Sequence, residues 1–150
     1  MADNEWLPVQ KFPWFGKYES GTTQVMHAAL LGEVQRLKKL LAEGGDVNTA
    51  TPDGSSALVY GASSGSYQVV ETLLNAGARA GSDAGGEALV TAVAAGNERS
   101  VELLRKAGAD PNYRSKDGAT ALSVAVSHHH DKTVQLLKRA GAQSQKGSAK

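Results

Sequence analysis

Apolar and polar residues follow a pattern along this chain that repeats four times. Each copy has a first segment rich in small apolar residues and a second segment in which larger aliphatic residues recur every three or four positions. Recurrence at that interval places the aliphatic side chains on one face of an α-helix. The sequence therefore predicts two short helices in each copy. The aliphatic residues of the second helices are Leu37, Leu40, Leu41, Val69, Val70, Leu73, Leu74, Val101, Leu103, Leu104, Val134, Leu136 and Leu137.

Two series of residues mark the register of the four copies. The first series ends each first helix and consists of Gly32, Gly65, Gly96 and His129. The second series ends each second helix and consists of Gly44, Gly77, Gly108 and Gly141. Both series advance by 33, 31 and 33 residues, and the two marks of one copy lie 12 residues apart. A period near ~33 is typical of stacked units, none of which buries its apolar face alone.

Turn-forming residues lie between the helix pairs. They predict projecting turns, here called fingers, over residues 46–54, 83–86 and 110–118. The middle connection is two residues shorter than the others, because 8 residues separate Gly77 from Gly85 whereas 10 separate Gly44 from Gly54. We therefore expect a shortened middle finger and a notch in the surface beside it.

The residues that end the copies resemble the family of ankyrin repeats. The family's Gly-Ala-Asp-x-Asn ending occurs as Gly108-Ala109-Asp110-Pro111-Asn112 and, with one change, over residues 44–48. The family's Thr-Pro-Leu-His box is degraded, and no copy keeps its Pro or its His. The resemblance implies an all-α helix-turn-helix solenoid of four repeats with projecting fingers. Its repeats would span about 18–50, 51–81, 82–114 and 115–143, after an N-terminal arm (1–17) and before a disordered tail (144–150).

The resemblance also implies a binding surface. Ankyrin-like stacks usually bind partners through the finger tips and the exposed side of the first helices, which together form a concave groove. The groove floor here is small-sided, so the partner would supply the large anchoring side chains. Gly86 and Ala119 stand among these positions. The expected partner-binding residues are Pro52, Asp53, Ser55, Ser63, Ser64, Asp83, Ala84, Ala94, Ala95, Tyr113, Arg114, Lys116, Asp117, Ser127 and His128.

The N-terminal arm is rich in aromatic residues. Five of the eight aromatics lie there, namely Trp6, Phe12, Trp14, Phe15 and Tyr18. Interruption by two prolines favours an extended backbone. Leu30 and Leu31 occupy slots that the family leaves variable and solvent-facing. We favour an arm that caps these leucines; the alternative is an exposed docking peptide with tryptophan anchors.

The search for catalytic and metal chemistry finds no supported site. The chain has no cysteine, which excludes disulfides and thiol chemistry and is usual in a reducing compartment. Gly81, Gly85 and Gly86 lack the Lys-Ser/Thr of a phosphate-binding loop. Consecutive side chains on a helix point ~100° apart, so the run of histidines at 128–130 favours a polar turn over a metal site. We expect no enzymatic activity, no cofactor and no bound metal.

Charge and hydropathy narrow the remaining functions. The net charge is +1, and the basic residues of the second helices indicate a solvated outer face instead of a nucleic-acid surface. No apolar run approaches the ~18 residues of a membrane span. We expect a monomer in the cytoplasm or nucleus that binds an unidentified protein through the groove, as an adaptor or inhibitor. The alternative is a scaffold or chaperone-like subunit that docks into an assembly through its aromatic arm.

Overall fold

Eight short helices form the described part of the chain. The computed structural model describes residues 24–48, 50–51 and 55–141. The helices are α1 (Gln24–Leu31), α2 (Val34–Ala42), α3 (Ala57–Ser64), α4 (Tyr67–Asn75), α5 (Asp83–Ala95), α6 (Glu98–Lys106), α7 (Ala121–Ser127) and α8 (Asp131–Arg139). They pair as two helices in each repeat, which confirms the predicted all-α helical repeat fold.

The helices are arranged in two layers. The odd-numbered helices pack against one another in chain order, and the even-numbered helices form a second layer that packs on them. Residues at equivalent positions fill the core: Leu40, Leu73, Leu104 and Leu137 are all buried. The aliphatic pattern of the second helices thus faces the odd-numbered layer, as expected of stacked units. None of the described helices combines the length and the apolar character needed to cross a membrane.

Both predicted series of helix-ending residues have left-handed backbones. In the first series Gly32, Gly65 and Gly96 have φ of 73°, 79° and 75°, and His129 has φ of 57°. Glycine adopts this conformation without steric cost, which makes it the usual residue just beyond a helix. His129 is the one residue other than glycine with a positive φ among the described residues. The fourth copy therefore keeps the register with a less suitable residue.

The middle finger predicted over residues 83–86 is wrong, because these residues form the first turn of α5. The Ser82 hydroxyl accepts a hydrogen bond from the Gly85 N–H at 3.4 Å and begins the helix. A Cβ on Gly85 would overlap the backbone of Ala80, and a Cβ on Gly86 would overlap the ring of Tyr113. These two glycines permit close packing and do not form a turn. The connection, two residues shorter, continues directly into the helix.

The other two fingers have the expected hairpin form in their described residues. Antiparallel bridges pair Ala50 with Ser56 and Arg114 with Thr120. The third finger is closed by the Ser115 N–H, which donates to the Ala119 carbonyl at 2.8 Å. The missing middle finger leaves a gap between these two hairpins.

Asparagine side chains tie some neighbouring repeats together. The amide nitrogen of Asn48 donates to the Gly77 carbonyl at 3.1 Å, and its oxygen accepts from the Arg79 N–H at 3.0 Å. Asn112 donates to the Gly141 carbonyl at 3.2 Å in the same way. Gly81 occupies the equivalent position of the second copy, where a Cβ would lie 3.9 Å from the carbonyl oxygen of Gly108. The second and third repeats are therefore stacked without this tie.

Replacing Gly81 by Asn should restore the tie and raise the free energy of unfolding by about 1 kcal/mol. A net hydrogen bond contributes about 0.5–1.5 kcal/mol, and the loss of glycine's freedom in the unfolded chain adds about 0.4–1 kcal/mol. Gly81 has no positive φ, so its backbone accepts a side chain. Urea unfolding of Gly81→Asn and of the control Gly81→Ala separates the two effects. Equal stability of the two variants would contradict the proposed hydrogen bond.

The left-handed backbone of His129 gives a second prediction. His129→Val should lower the free energy of unfolding by about 1–2 kcal/mol, because β-branched residues are strained at positive φ. His129→Gly should be at least as stable as the wild type. Val at neighbouring His128, where φ is −95°, serves as the control. Similar losses for Val at both positions would show that backbone strain is not the cause.

Candidate binding surface

One strip of residues recurs on the last turn of every odd-numbered helix. We call it the inner strip and define it as Leu30, Leu31, Ser63, Ser64, Ala94, Ala95, Ser127 and His128. All of these residues are exposed except Ser64, which is half-buried. Six of the eight carry small or polar side chains other than leucine, as the register predicts for a groove floor. The inner strip therefore gives a partner's backbone close access to the three later repeats.

Two polar residues of the inner strip are already bound to their own helices. The Ser64 hydroxyl donates to the Gly61 carbonyl at 2.7 Å and accepts from the Ser66 N–H at 3.1 Å. The Nδ1 atom of His128 lies 3.1 Å from the Val124 carbonyl oxygen. These bonds complete the helix ends, so exposed Ser63 is better placed than Ser64 to meet a partner.

The third finger is a stiff loop held by its own polar groups. The Asp117 carboxylate accepts hydrogen bonds from the Ser115 hydroxyl and from the Ala119 N–H. The bond from Ser115, followed by the bond from Ala119, holds the pKa of Asp117 below its usual value. The Arg114 guanidinium donates to the Gly118 carbonyl at 3.2 Å. Lys116 is exposed at the tip.

The second finger is described at its base. The Thr51 hydroxyl donates to the Ser55 carbonyl at 3.3 Å and accepts from the Ser55 N–H at 3.1 Å. Ser55 is half-buried by this exchange. The predicted tip residues Pro52 and Asp53 lie outside the described residues.

Five of the predicted partner-binding residues line one cleft in the gap left by the missing middle finger. The cleft has a volume of about 430 Å³. Sequence reasoning missed two further lining residues, Glu87 and Ser115, since no local pattern places α5 beside the third finger. The predicted residues that line it are Ser55, Asp83, Tyr113, Lys116 and Asp117.

Tyr113 forms a fixed wall of this cleft. Its ring packs directly on Gly86, whose missing side chain leaves the space. Burial raises the pKa of the Tyr113 hydroxyl, and the Glu87 carboxylate, which also hydrogen-bonds to it, raises that pKa further. The hydroxyl thus stays protonated and keeps the ring oriented. Around it the cleft has an excess of carboxylates over ammonium groups: Asp83, Glu87 and Asp117 against Lys116.

Ala84 lies on the other side of the same helix turn. It is half-buried and, with Asp83, lines a separate cleft of about 360 Å³ that extends to Asn48 and Arg79. Arg114 is exposed beside the third finger and does not line either cleft. The predicted residues therefore divide between the inner strip, the Tyr113 cleft and this smaller cleft.

The even-numbered helices carry charges of both signs. The Arg99 guanidinium carbon lies 4.7 Å from the ring centroid of Tyr67, so this tyrosine packs between repeats, as expected. A cleft of about 500 Å³ between α6 and α8 is lined by two acidic and four basic residues among others. The charged residues are Glu98, Glu102, Arg99, Arg105, Lys132 and Arg139. The mixture is that of a solvated outer face.

The three histidines occupy the turn between α7 and α8, as the register predicts. The rings of His128 and His130 lie 5.6 Å apart between centroids and are tilted by 41°. His129 has the left-handed backbone that ends α7. Among the residues that the structure describes, no group of three or more His, Cys, Asp or Glu side chains is placed to hold a metal ion.

The aromatic residues of the arm, Trp6, Phe12, Trp14, Phe15 and Tyr18, lie outside the described residues. Their expected contact with Leu30 and Leu31 stays a prediction. The two leucines are 41% and 53% exposed. They therefore interrupt the small-sided inner strip with an apolar pair at its first repeat.

Comparison with known families agrees with the helix pairs and the groove register. A family model described as ankyrin repeats (3 copies) matches residues 8–84 and, again, residues 78–147. No curated protein matches the chain. The two matched stretches together span most of the sequence and include all eight described helices. The chain belongs to the ankyrin repeat family, whose repeats are generally protein–protein interaction modules and are typically non-catalytic.

Proposed function

We propose that this chain binds a protein partner through the inner strip and the fingers, and acts as an adaptor or inhibitor without catalytic activity of its own. The observation that carries the proposal is the cleft around Tyr113. Five residues assigned to the binding surface from repeat register line this one cleft, although they come from three different repeats. Convergence of predicted contact residues on one cavity is expected of a binding surface.

The floor of the inner strip suits a partner that brings its own large side chains. Ser63, Ala94 and Ala95 project little above the helices, so the partner's backbone can approach closely. Aromatic and arginine side chains usually contribute most of the binding energy at interfaces. On this surface such anchors would come from the partner and insert between the small side chains.

The Tyr113 cleft favours a basic side chain of the partner. Carboxylates of Asp83, Glu87 and Asp117 surround a tyrosine ring, and only Lys116 opposes them. An arginine or lysine can form charge-assisted hydrogen bonds to these carboxylates and contact the aromatic ring. Two of the acidic groups are held in place, Glu87 by Tyr113 and Asp117 by its own finger. Such preorganisation lowers the entropy cost of binding.

A scaffold or chaperone-like role through the aromatic arm is the weaker alternative. It requires Trp6 and Trp14 to face a partner, whereas the described repeats already offer a surface with a defined cleft. We therefore favour the repeats over the arm as the surface that recognises the partner.

Arginines placed on the inner strip should block the partner without unfolding the chain. Ser63→Arg with Ala94→Arg would fill the groove floor, and exposed positions rarely change stability by more than about 0.5 kcal/mol. Affinity capture from the native cells followed by mass spectrometry should lose a partner that the wild type retains.

The matched control places the same two charges on the outer face. Gln68 and Gln135 are exposed on α4 and α8, and Gln68→Arg with Gln135→Arg should leave capture unchanged. Equal capture by the groove variant and the wild type, with both variants folded, would refute binding through the inner strip.

A further inference from the structure

We propose that the N-terminal arm, residues 1–17, folds back onto the inner strip of its own chain. In this arrangement Trp14 and Phe15 contact Leu30 and Leu31, and the residues before them continue along the strip toward Ser63. The arm would then occupy part of the surface that a protein partner needs. The contact itself is independent of the proposed function, whereas the competition with a partner rests on it.

The position of the leucine pair indicates the groove and not the end of the stack. Residues equivalent to Leu30 and Leu31 are Ser63 and Ser64 in the second repeat and Ala94 and Ala95 in the third. These later residues remain solvent-accessible although repeats stack on both sides of them. A further repeat before the first would therefore not cover the leucines. Whatever covers them has to lie on the inner strip.

Val126 shows how an end face differs from this arrangement. It is 56% exposed, whereas the equivalent residues Ala29, Ala62 and Val93 are 0%, 0% and 1% exposed. The exposure of Val126 is thus explained by the absence of a following repeat among the described residues. Leu30 and Leu31, at 41% and 53%, have no such explanation. Exposed leucines are unfavourable in water, and their burial by another apolar group is favourable.

The arm has the reach to cover them. Leu30 and Leu31 lie in the last turn of α1, roughly 10 Å along the helix axis from Gln24 at a rise of ~1.5 Å per residue. An extended chain spans up to ~3.5 Å per residue, so the ten residues from Trp14 to Gln24 span up to ~35 Å. Trp14 and Phe15 can therefore reach the leucines with enough chain left for a reversal of direction.

The composition of the arm also suits the strip beyond the leucines. Neighbouring packed helices are separated by about 8–10 Å, so Trp6 can reach the second and third repeats when Trp14 is at the first. Pro8 and Pro13 favour an extended backbone with fewer accessible conformations. An extended chain with large aromatic side chains complements a floor of serine and alanine, because the anchors come from the arm and the space from the strip.

Tryptophan fluorescence of the full chain tests the contact, because both tryptophans lie in the arm. In the background Trp6→Phe, Trp14 is the remaining tryptophan, and its emission should be that of a shielded indole with limited quenching by acrylamide. Leu30→Ser with Leu31→Ser places the residues of the second repeat at the first. This change should shift the emission to longer wavelength and increase the quenching.

Val126→Ser is the matched control, since it removes a similarly exposed apolar side chain elsewhere. It should leave Trp14 emission unchanged, and far-ultraviolet circular dichroism should show all variants to be helical. Full quenching of Trp14 in the parent, or no response to the leucine changes, would overturn the contact.

The course of the arm along the strip is tested in the reciprocal background, Trp14→Phe, which leaves Trp6. Ser63→Arg with Ala94→Arg should displace the arm and make Trp6 more accessible to acrylamide, whereas Gln68→Arg with Gln135→Arg should not. No response of Trp6 to the strip arginines would overturn the competition. None of these readouts needs the partner, so failure of the arm proposal is distinguishable from failure of partner capture.

Discussion

The fold depends on close packing of the odd-numbered helices through small side chains. Ala28, Ala92 and Ala125 are completely buried at equivalent positions, and Gly61 takes the same place in the second repeat. A Cβ on Gly61 would lie 2.8 Å from a methyl carbon of Val69, which leaves no room even for alanine without movement. Since a single repeat buries little apolar surface alone, this packing holds the whole stack together. It also sets the even spacing of the inner strip.

Local pattern was sufficient to predict the helix pairs and their ends. Aliphatic spacing located the second helices, and the two glycine series located both kinds of helix end, including His129 as a substitute for glycine. The middle finger was wrong because Gly85 and Gly86 are typical turn residues in sequence. Their role is to accept the Ala80 backbone and the Tyr113 ring, and such contacts depend on the stacking of repeats.

The binding surface could be predicted in outline but not in its chemistry. Repeat register placed Ser63, Ala94 and Lys116 on exposed positions, and the structure agrees. It could not show that the Ser64 hydroxyl is engaged at its helix end, or that Glu87 joins Tyr113 in the cleft. Hydrogen bonding across repeats is set by distances between atoms from different repeats, which a single sequence does not specify.

The glycine at position 81 has a mechanical consequence. Asparagines fasten the finger side of the first repeat to the second and of the third repeat to the fourth. Between the second and third repeats the fastening is on the opposite side, where the Asn97 amide donates to the Gly65 carbonyl. A junction fastened along one edge behaves as a hinge. The stack can therefore bend between its two halves, and the jaw formed by the second and third fingers around Tyr113 widens or narrows as it bends.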